Sequence, residues 1–351
     1  ALANQGKIEE ARDVLEQPLS LNPRSAFTHA LLGGLYGELG QYEKGLFHCS
    51  RAIEIAPRMA GGHWNRASIN LTLGKWEEGW RDYQYGKVNK LRPVRFVEPE
   101  WDGRATKRIL VWSEQGFGDT IWASKLVRVL KEQTGAEIII ECQRDLVGIL
   151  KGVADKVIAQ PKDYGCLEEF DAHVSLMSLP HVLGLTPDTI PADKKWIHAD
   201  HALAEAWKPG LEGRTIGLVW AGSAGHQNDR NRSIPTEAIK PLEKVRGKIV
   251  SLQMGKEAPF ECLNLSESIT DFSVTAAIIE NLEVVVTVDT SVAHLSGAMG
   301  KKTFLMLPKY IDFRWMSDQK KTKWYPSMTI FRQKTMGDWS DVIAGVLNDL
   351  G

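Results

Sequence analysis

The sequence predicts an α/β protein: two doubly wound lobes of parallel sheet, preceded by an all-α repeat domain. Three observations predict it. Glycines recur at a fixed step early in the chain, short apolar runs alternate with amphipathic helical segments from residue 108, and that alternation restarts near residue 200. Length agrees, because 351 residues exceed what one hydrophobic core usually organises and point to two or three domains.

Composition narrows the function. With 43% apolar residues, 25% charged residues and a net charge of −1, the chain has the balance of a soluble globular protein and no basic footprint for nucleic acid. Cys49, Cys142, Cys166 and Cys262 are widely separated and form no CxxC pair, which leaves neither a zinc site nor a disulfide framework and suits a reducing cytoplasm. No apolar run reaches the ~18 residues of a membrane span, and no signal pattern opens the chain. The chain starts without Met and in mid-pattern at "ALANQGKIEEA", so further sequence is expected upstream.

The first element is the repeat. Gly6, Gly40 and Gly74 lie 34 residues apart, and the same step relates Ala11 to Gly45 and Gly79, Pro23 to Pro57, and His29 to His63, while "LSLNP" echoes "IEIAP". This pattern resembles tetratricopeptide repeats, whose unit is a pair of antiparallel helices with a period of about 34 residues. The small residues are expected to let paired helices approach closely, and each proline to end one unit and start the next. Residues 1–86 are assigned to this truncated solenoid, with one complete unit near 24–57. By the resemblance, its concave face holds a peptide or protein; the plainer alternative is that it only steadies the next domain. Trp64, Trp76 and Trp80 are expected to be packing residues. Residues 87–107, with two prolines and no clear periodicity, read as an ordered connector pinned by Trp101.

The first lobe is assigned to residues 108–205. "RILVWSE", "EIIIEC", "KVIAQ" and "DAHVSL" read as strands, with a helix from Thr120 to Thr134 after the first. The second lobe, 206–351, repeats the scheme with "TIGLVWAG", "GKIVSLQ", "EVVVTVD" and "TFLMLP", and closes on the helix "WSDVIAGVLNDL". Open doubly wound sheets bind ligands at the carboxyl ends of their strands, so functional residues are expected just after strands.

Three such exits stand out. In "SEQGFGDTIWASKL", Gln115, Gly116 and Gly118 make a tight turn and Asp119 opens a helix; GxGxxG is not completed, which argues against a nicotinamide cofactor. Asp119 could serve only its helix terminus. In "WAGSAGHQNDRNRSIP", Arg230 and Arg232 follow Trp220 and Gly222, and guanidinium forks suit phosphate oxygens. In "TVDTSVAHLSGAMGKKT", Asp289 marks a strand exit and Thr290 or Ser291 caps a helix whose first N–H groups form an anion site. Val292 lies in the first turn, and His294, four residues after Thr290, falls on the same face, where it could meet an anion or be a buried structural histidine.

These segments, in order over nearly all of residues 101–350, resemble bacterial glycosyltransferases of the two-lobed GT-B type, in particular heptosyltransferase-like enzymes joined to tetratricopeptide repeats. The matching pieces are "EQGFGDTIWASKLVRVL", "IGLVWAGSAGHQNDRNRSIP", "IVSLQMG", "VVVTVDTSVAHLSGAMGKKTFLML" and "FRWM…WYPSMTIFRQ". The resemblance implies Rossmann-like lobes, the first presenting an acceptor and the second holding a nucleotide-diphosphate sugar. It places Asp119 as general base, Arg232 at the donor phosphates, Asp289, Thr290 and His294 at the diphosphate, and Gln253 with Met254 near the nucleoside. No DxD triplet occurs, so no metal or other cofactor is expected, only a nucleotide sugar as co-substrate. The transfer would be inverting, to a hydroxyl of a peptide, protein or glycan. The rival readings are a non-catalytic scaffold that binds a nucleotide sugar and an epimerase of the same fold. Trp220, Trp315, Trp324 and Tyr325 could line the cleft, and the closing helix could cross back onto the first lobe, as it does in many GT-B proteins.

Overall fold

The computed structural model describes residues 7–88, 96–161, 168–225, 228–309, 312–315 and 320–351, with side chains of the first stretch followed as far as 85. Gly6, part of the connector, Cys166, and His226 of the arginine loop lie outside the described residues. The chain forms two compact units, and each is taken by itself.

The helical unit contains α1 (Ile8–Leu21), α2 (Ala26–Glu38), α3 (Tyr42–Ile55), α4 (Ala60–Thr72) and α5 (Trp76–Val88). Residues Gly184–Ile190 and 312–315 belong to the same unit. The helix starts keep the step seen in the sequence: α1 to α3, α2 to α4 and α3 to α5 are each displaced by 34 residues. The recurring small residues have two different jobs. Gly40 and Gly74 adopt φ of 71° and 77°, the left-handed turn between paired helices, with nothing near a Cβ. Gly45 and Gly79 are the close-approach positions, since a Cβ there would lie 2.7 Å from Ile69 and from Leu71 respectively. His29 and His63 pin the preceding loops through the carbonyls of Pro23 and Pro57 at 3.2 and 3.0 Å. Their other ring nitrogens meet His48 and Asp82, again 34 residues apart. Trp76 and Trp80 are buried, and Phe313 stands edge-on to Trp80 at 5.4 Å. Trp315, expected near a cleft, is instead buried in this unit.

The α/β unit holds two parallel sheets. The first has the order β3-β2-β1-β4, from β1 (Arg108–Trp112), β2 (Glu137–Cys142), β3 (Lys156–Ala159) and β4 (Ala172–Ser175). The second has the order β10-β9-β8-β5-β6-β7, from β5 (Thr215–Val219), β6 (Lys248–Ser251), β7 (Leu263–Asn264), β8 (Val284–Val288), β9 (Thr303–Leu307) and β10 (Met328–Arg332). Helices α6 (Phe117–Thr134), α7 (Val147–Leu150), α8 (Leu179–Val182), α9 (His201–Trp207), α10 (Asp229–Arg232), α11 (Phe272–Asn281), α12 (Ser291–Ala298) and α13 (Ser340–Leu350) complete the unit. All the nearly continuous apolar strands become buried centre strands, as parallel sheets covered on both faces require.

Counted from its own first strand, the second sheet reads 3-2-1-4-5-6, and the first sheet carries the 3-2-1-4 part of that order. Both sheets therefore reverse direction beside their first strand, the place where sheets of this order are expected to receive a ligand, and the exits of β1, β5 and β8 lie there. These are the three exits singled out by residue chemistry. The second sheet packs Ile216, Leu218, Val284, Val286, Phe304 and Met306 against Val342, Ile343 and Val346 of α13. The closing helix thus covers its own sheet, because its apolar face completes that core. Trp101 pins the end of the connector by donating its backbone N–H to the His173 carbonyl, at 2.7 Å.

Candidate functional site

At the β1 exit, α6 starts at Phe117, three residues before the expected Thr120. Asp119 is the reason: its Oδ2 accepts the Gly116 N–H at 3.1 Å and satisfies a helix-end donor, so the helix includes the turn. The carboxylate is half-buried. Gln143 Nε2 donates to the Gln115 carbonyl at 2.6 Å and fixes the turn from β2's exit. Gly118 is small for a tertiary reason. A Cβ there would lie 2.7 Å from His294 Cδ2, so the turn after β1 rests directly on the α12 histidine of the other sheet. Phe117 and Phe272 make a second contact between the two halves, with ring centroids 5.0 Å apart.

The β5 exit is built around Arg232. Its Nη1 donates to the Asp289 carbonyl at 3.1 Å, and its Nε lies 3.4 Å from Asp229 Oδ1. Asp229 also accepts from Ser233 Oγ at 2.9 Å, and that hydroxyl accepts the Gly222 N–H at 2.9 Å. Gly222 is required here because a Cβ would come within 2.6 Å of both the guanidinium and Asp229. The arginine loop is thereby tied to the start of α12. Arg230 is exposed on the same short helix.

At the β8 exit, Thr290 occupies the N-cap of α12 in an extended conformation, φ −140° and ψ 174°. Its side chain makes no capping bond, and its hydroxyl lies 3.3 Å from Thr287 Oγ1. The neighbouring α11 shows the contrast: Asp271 accepts the N–H groups of Ser273 and Val274 at 2.8 and 3.0 Å. A missing cap leaves roughly 1 kcal/mol for another acceptor at α12, where the helix dipole favours an anion. Thr290, Ser291 and Val292 are all half-exposed. His294 is buried, with Nδ1 2.7 Å from Tyr325 Oη and Nε2 3.7 Å from Asp289 Oδ1.

The structure thus brings together Gly116, Gly118 and Asp119 from one sheet with Gly222, Arg232, Asp289, Thr290 and His294 from the other. The aromatic expectation changes: the four cleft candidates Trp220, Trp315, Trp324 and Tyr325 are all buried. Gln253 turns its amide to the backbone: its Oε1 accepts the N–H groups of Trp220 and Ala221 at 3.0 and 2.8 Å, while its Nε2 donates to the Met254 carbonyl at 2.9 Å. Trp220 is fully buried in the second core and holds Thr236 through Nε1. Trp324 is buried against Trp122, 4.7 Å between centroids, and lines no open surface. Met254 is exposed at the β6 exit.

Sequence reasoning did not single out Lys125. It is 2% exposed, donates to the carbonyls of Asp193 and Trp324 at 3.0 and 2.9 Å, and lies 4.7 Å from the Trp196 ring centre. Burial pulls its amine down to about 8 from 10.5, against the opposing pull of Asp193. A lysine on an amphipathic helix reads as a solvated charge, so no local signal marks it.

No protein-family model matches the chain. Protein FlbA of Caulobacter vibrioides is 23% identical in an alignment spanning all of this chain and 71% of that protein. Among solved structures, Escherichia coli ADP-heptose lps heptosyltransferase II superposes with a TM-score of 0.51 at 13% identity, covering 69% of this chain and 97% of that one. A glycosyl transferase family 9 structure from Veillonella parvula gives 0.49 at 10% identity, covering 68% and 88%. The likeness to the heptosyltransferase is one of fold: a pair of parallel-sheet lobes of the GT-B type.

Proposed function

We propose that the α/β unit is a metal-independent, inverting glycosyltransferase that moves a sugar from a nucleotide-diphosphate donor to a hydroxyl acceptor. The observation that carries the reading is the convergence, on the uncapped start of α12, of Arg232 from one side and the Gly116–Asp119 turn of the other sheet from the other. The reading assigns residues 206–351 to the donor and 108–205 to the acceptor. The free helix end, Arg232 and His294 receive the diphosphate, Arg230 adds charge at the rim, and Met254 meets the nucleoside. In GT-A enzymes a divalent ion neutralises the leaving diphosphate; here prearranged N–H groups and a guanidinium do so, strengthening as charge develops. Asp119 takes the proton of the attacking hydroxyl, and direct displacement inverts the anomeric centre. The E. coli heptosyltransferase supports this as a fold precedent for an ADP-sugar donor. The helical unit, read as tetratricopeptide-type, is the candidate for engaging a peptide, protein or glycan acceptor.

The Asp119–Gly116 bond favours a second reading, a nucleotide-sugar-binding module without turnover, because it gives the carboxylate a structural duty. Thermal unfolding with ADP, UDP, GDP and CDP tests the shared donor site. One of them at a hundred times its Kd should stabilise the protein by about 2.7 kcal/mol, and no shift with any removes both readings. Gly222→Ala should weaken the same nucleotide about tenfold to a hundredfold by pushing Arg232 from its place, since a hydrogen bond to a charged group contributes roughly 1.5–3 kcal/mol. Unchanged affinity in a calorimetric titration would remove Arg232 from the site.

A further inference from the structure

Tyr325 is fully buried, yet its hydroxyl lies 2.7 Å from Nδ1 of His294. Two neighbours fix the ring. Trp196 stacks on it at 5.6 Å and 14°. Gly297, one helical turn after His294, leaves the space the ring occupies, since a Cβ there would come within 2.6 Å of Tyr325 Cγ. Lys125 in turn sits on Trp196, so an α6 side chain closes the stack. A fixed hydroxyl constrains the imidazole, because the two ring nitrogens of a neutral histidine have opposite roles.

The other nitrogen decides which role Nδ1 takes. Nε2 lies 3.7 Å from Asp289 Oδ1. A bare lone pair facing that carboxylate would be repelled, whereas an N–H is attracted. For a neutral imidazole, that contact favours Nδ1 as the acceptor and the Tyr325 O–H as the donor.

We propose that Tyr325 is a positioning residue: it holds His294 in the tautomer that carries its hydrogen on Nε2, next to Asp289 and the start of α12, where it can donate to an anion. The anion's identity as a nucleoside diphosphate rests on the function proposed above; the tautomer does not. Without the hydroxyl, the imidazole can rotate or exchange tautomers, and a bound diphosphate loses one neutral donor. Nothing about the Tyr325 ring need touch the ligand for this to matter.

Tyr325→Phe keeps the ring against Gly297 and Trp196 and removes only the O–H. Long-range nitrogen–proton NMR of the histidines should place the His294 hydrogen on Nε2 in the wild type. Titration with the tightest binder among ADP, UDP, GDP and CDP should show affinity about threefold to tenfold weaker in the variant, the range expected for one hydrogen bond. In a His294→Ala background, Tyr325→Phe should have no further effect, which a purely packing role would not produce. A wild-type hydrogen on Nδ1, an unchanged affinity in Tyr325→Phe, or an equal loss in the His294→Ala background overturns the proposal. If the wild type binds none of the four nucleotides, the donor reading fails, and the tautomer alone decides whether Tyr325 orients His294.

Discussion

Asp119→Asn should lower turnover by about 10²–10⁴-fold while leaving nucleotide affinity within about twofold of wild type, the signature of a lost general base. The substitution is well controlled by the geometry. Asparagine keeps an oxygen that can accept the Gly116 N–H, so the start of α6 and its contact with His294 should survive. Only the ability to take a proton is removed. The measurement is single-turnover transfer, or slow release of the nucleoside diphosphate from a nucleotide sugar, beside a binding titration. Wild-type turnover in the variant takes Asp119 out of the mechanism; loss of binding and turnover together would mean that Asp119 acts through the fold. Activity absent from the wild type as well, with nucleotide still bound, would favour the non-catalytic module.

The second large effect concerns stability and Lys125. Its folded-state amine is depressed to about 8 from 10.5 by burial, so between those values the unfolded chain holds more protons than the folded one. Stability contributed by this group therefore rises with pH across that window, by up to about 3 kcal/mol from the relation of 1.36 kcal/mol per unit. Below pH 8 the charged form is buried at a cost that the two carbonyl bonds and the Trp196 face offset in part. The neutral amine keeps two N–H groups, enough for both carbonyls. Lys125→Met should flatten this dependence. The check is the difference in unfolding free energy between wild type and Lys125→Met from pH 7.5 to 10.5; a difference that stays constant or falls with pH overturns the assignment.

Much of the fold was legible in local pattern. The apolar runs expected as strands at 108–114, 137–142, 215–222, 247–253, 283–289 and 303–308 each contain one, trimmed where the chain leaves the sheet for a ligand-side loop. The strands that went unnoticed, Leu263–Asn264 and Met328–Arg332, are the two edges of the second sheet. An edge strand pairs on one side only and can be short or mixed in polarity, which erases the apolar signature of a centre strand. Of the candidate site, Gly118, Gly222, Arg232, Asp289, Thr290 and His294 are legible as candidates because they combine a strand exit with residue types that serve anions. The backbone bonds of the Gln253 amide and the burial of Trp220 had no such signal: an amide or indole after a strand looks alike in sequence whether it faces outward or the backbone behind it.

The sequence by itself determined the 34-residue helical step, the succession of the apolar centre strands along the chain and the identity of the three exits, since these follow from periodicity and from small or hydroxyl-bearing residues at fixed offsets. Tertiary structure alone decided which side chains meet. Gly118 is a glycine because of His294, Gly297 because of Tyr325, and Lys125 is buried because carbonyls at 193 and 324 converge on it. Those pairs are separated by tens to hundreds of residues. Local periodicity reports which face of an element is apolar, and nothing in it encodes which partner that face will find.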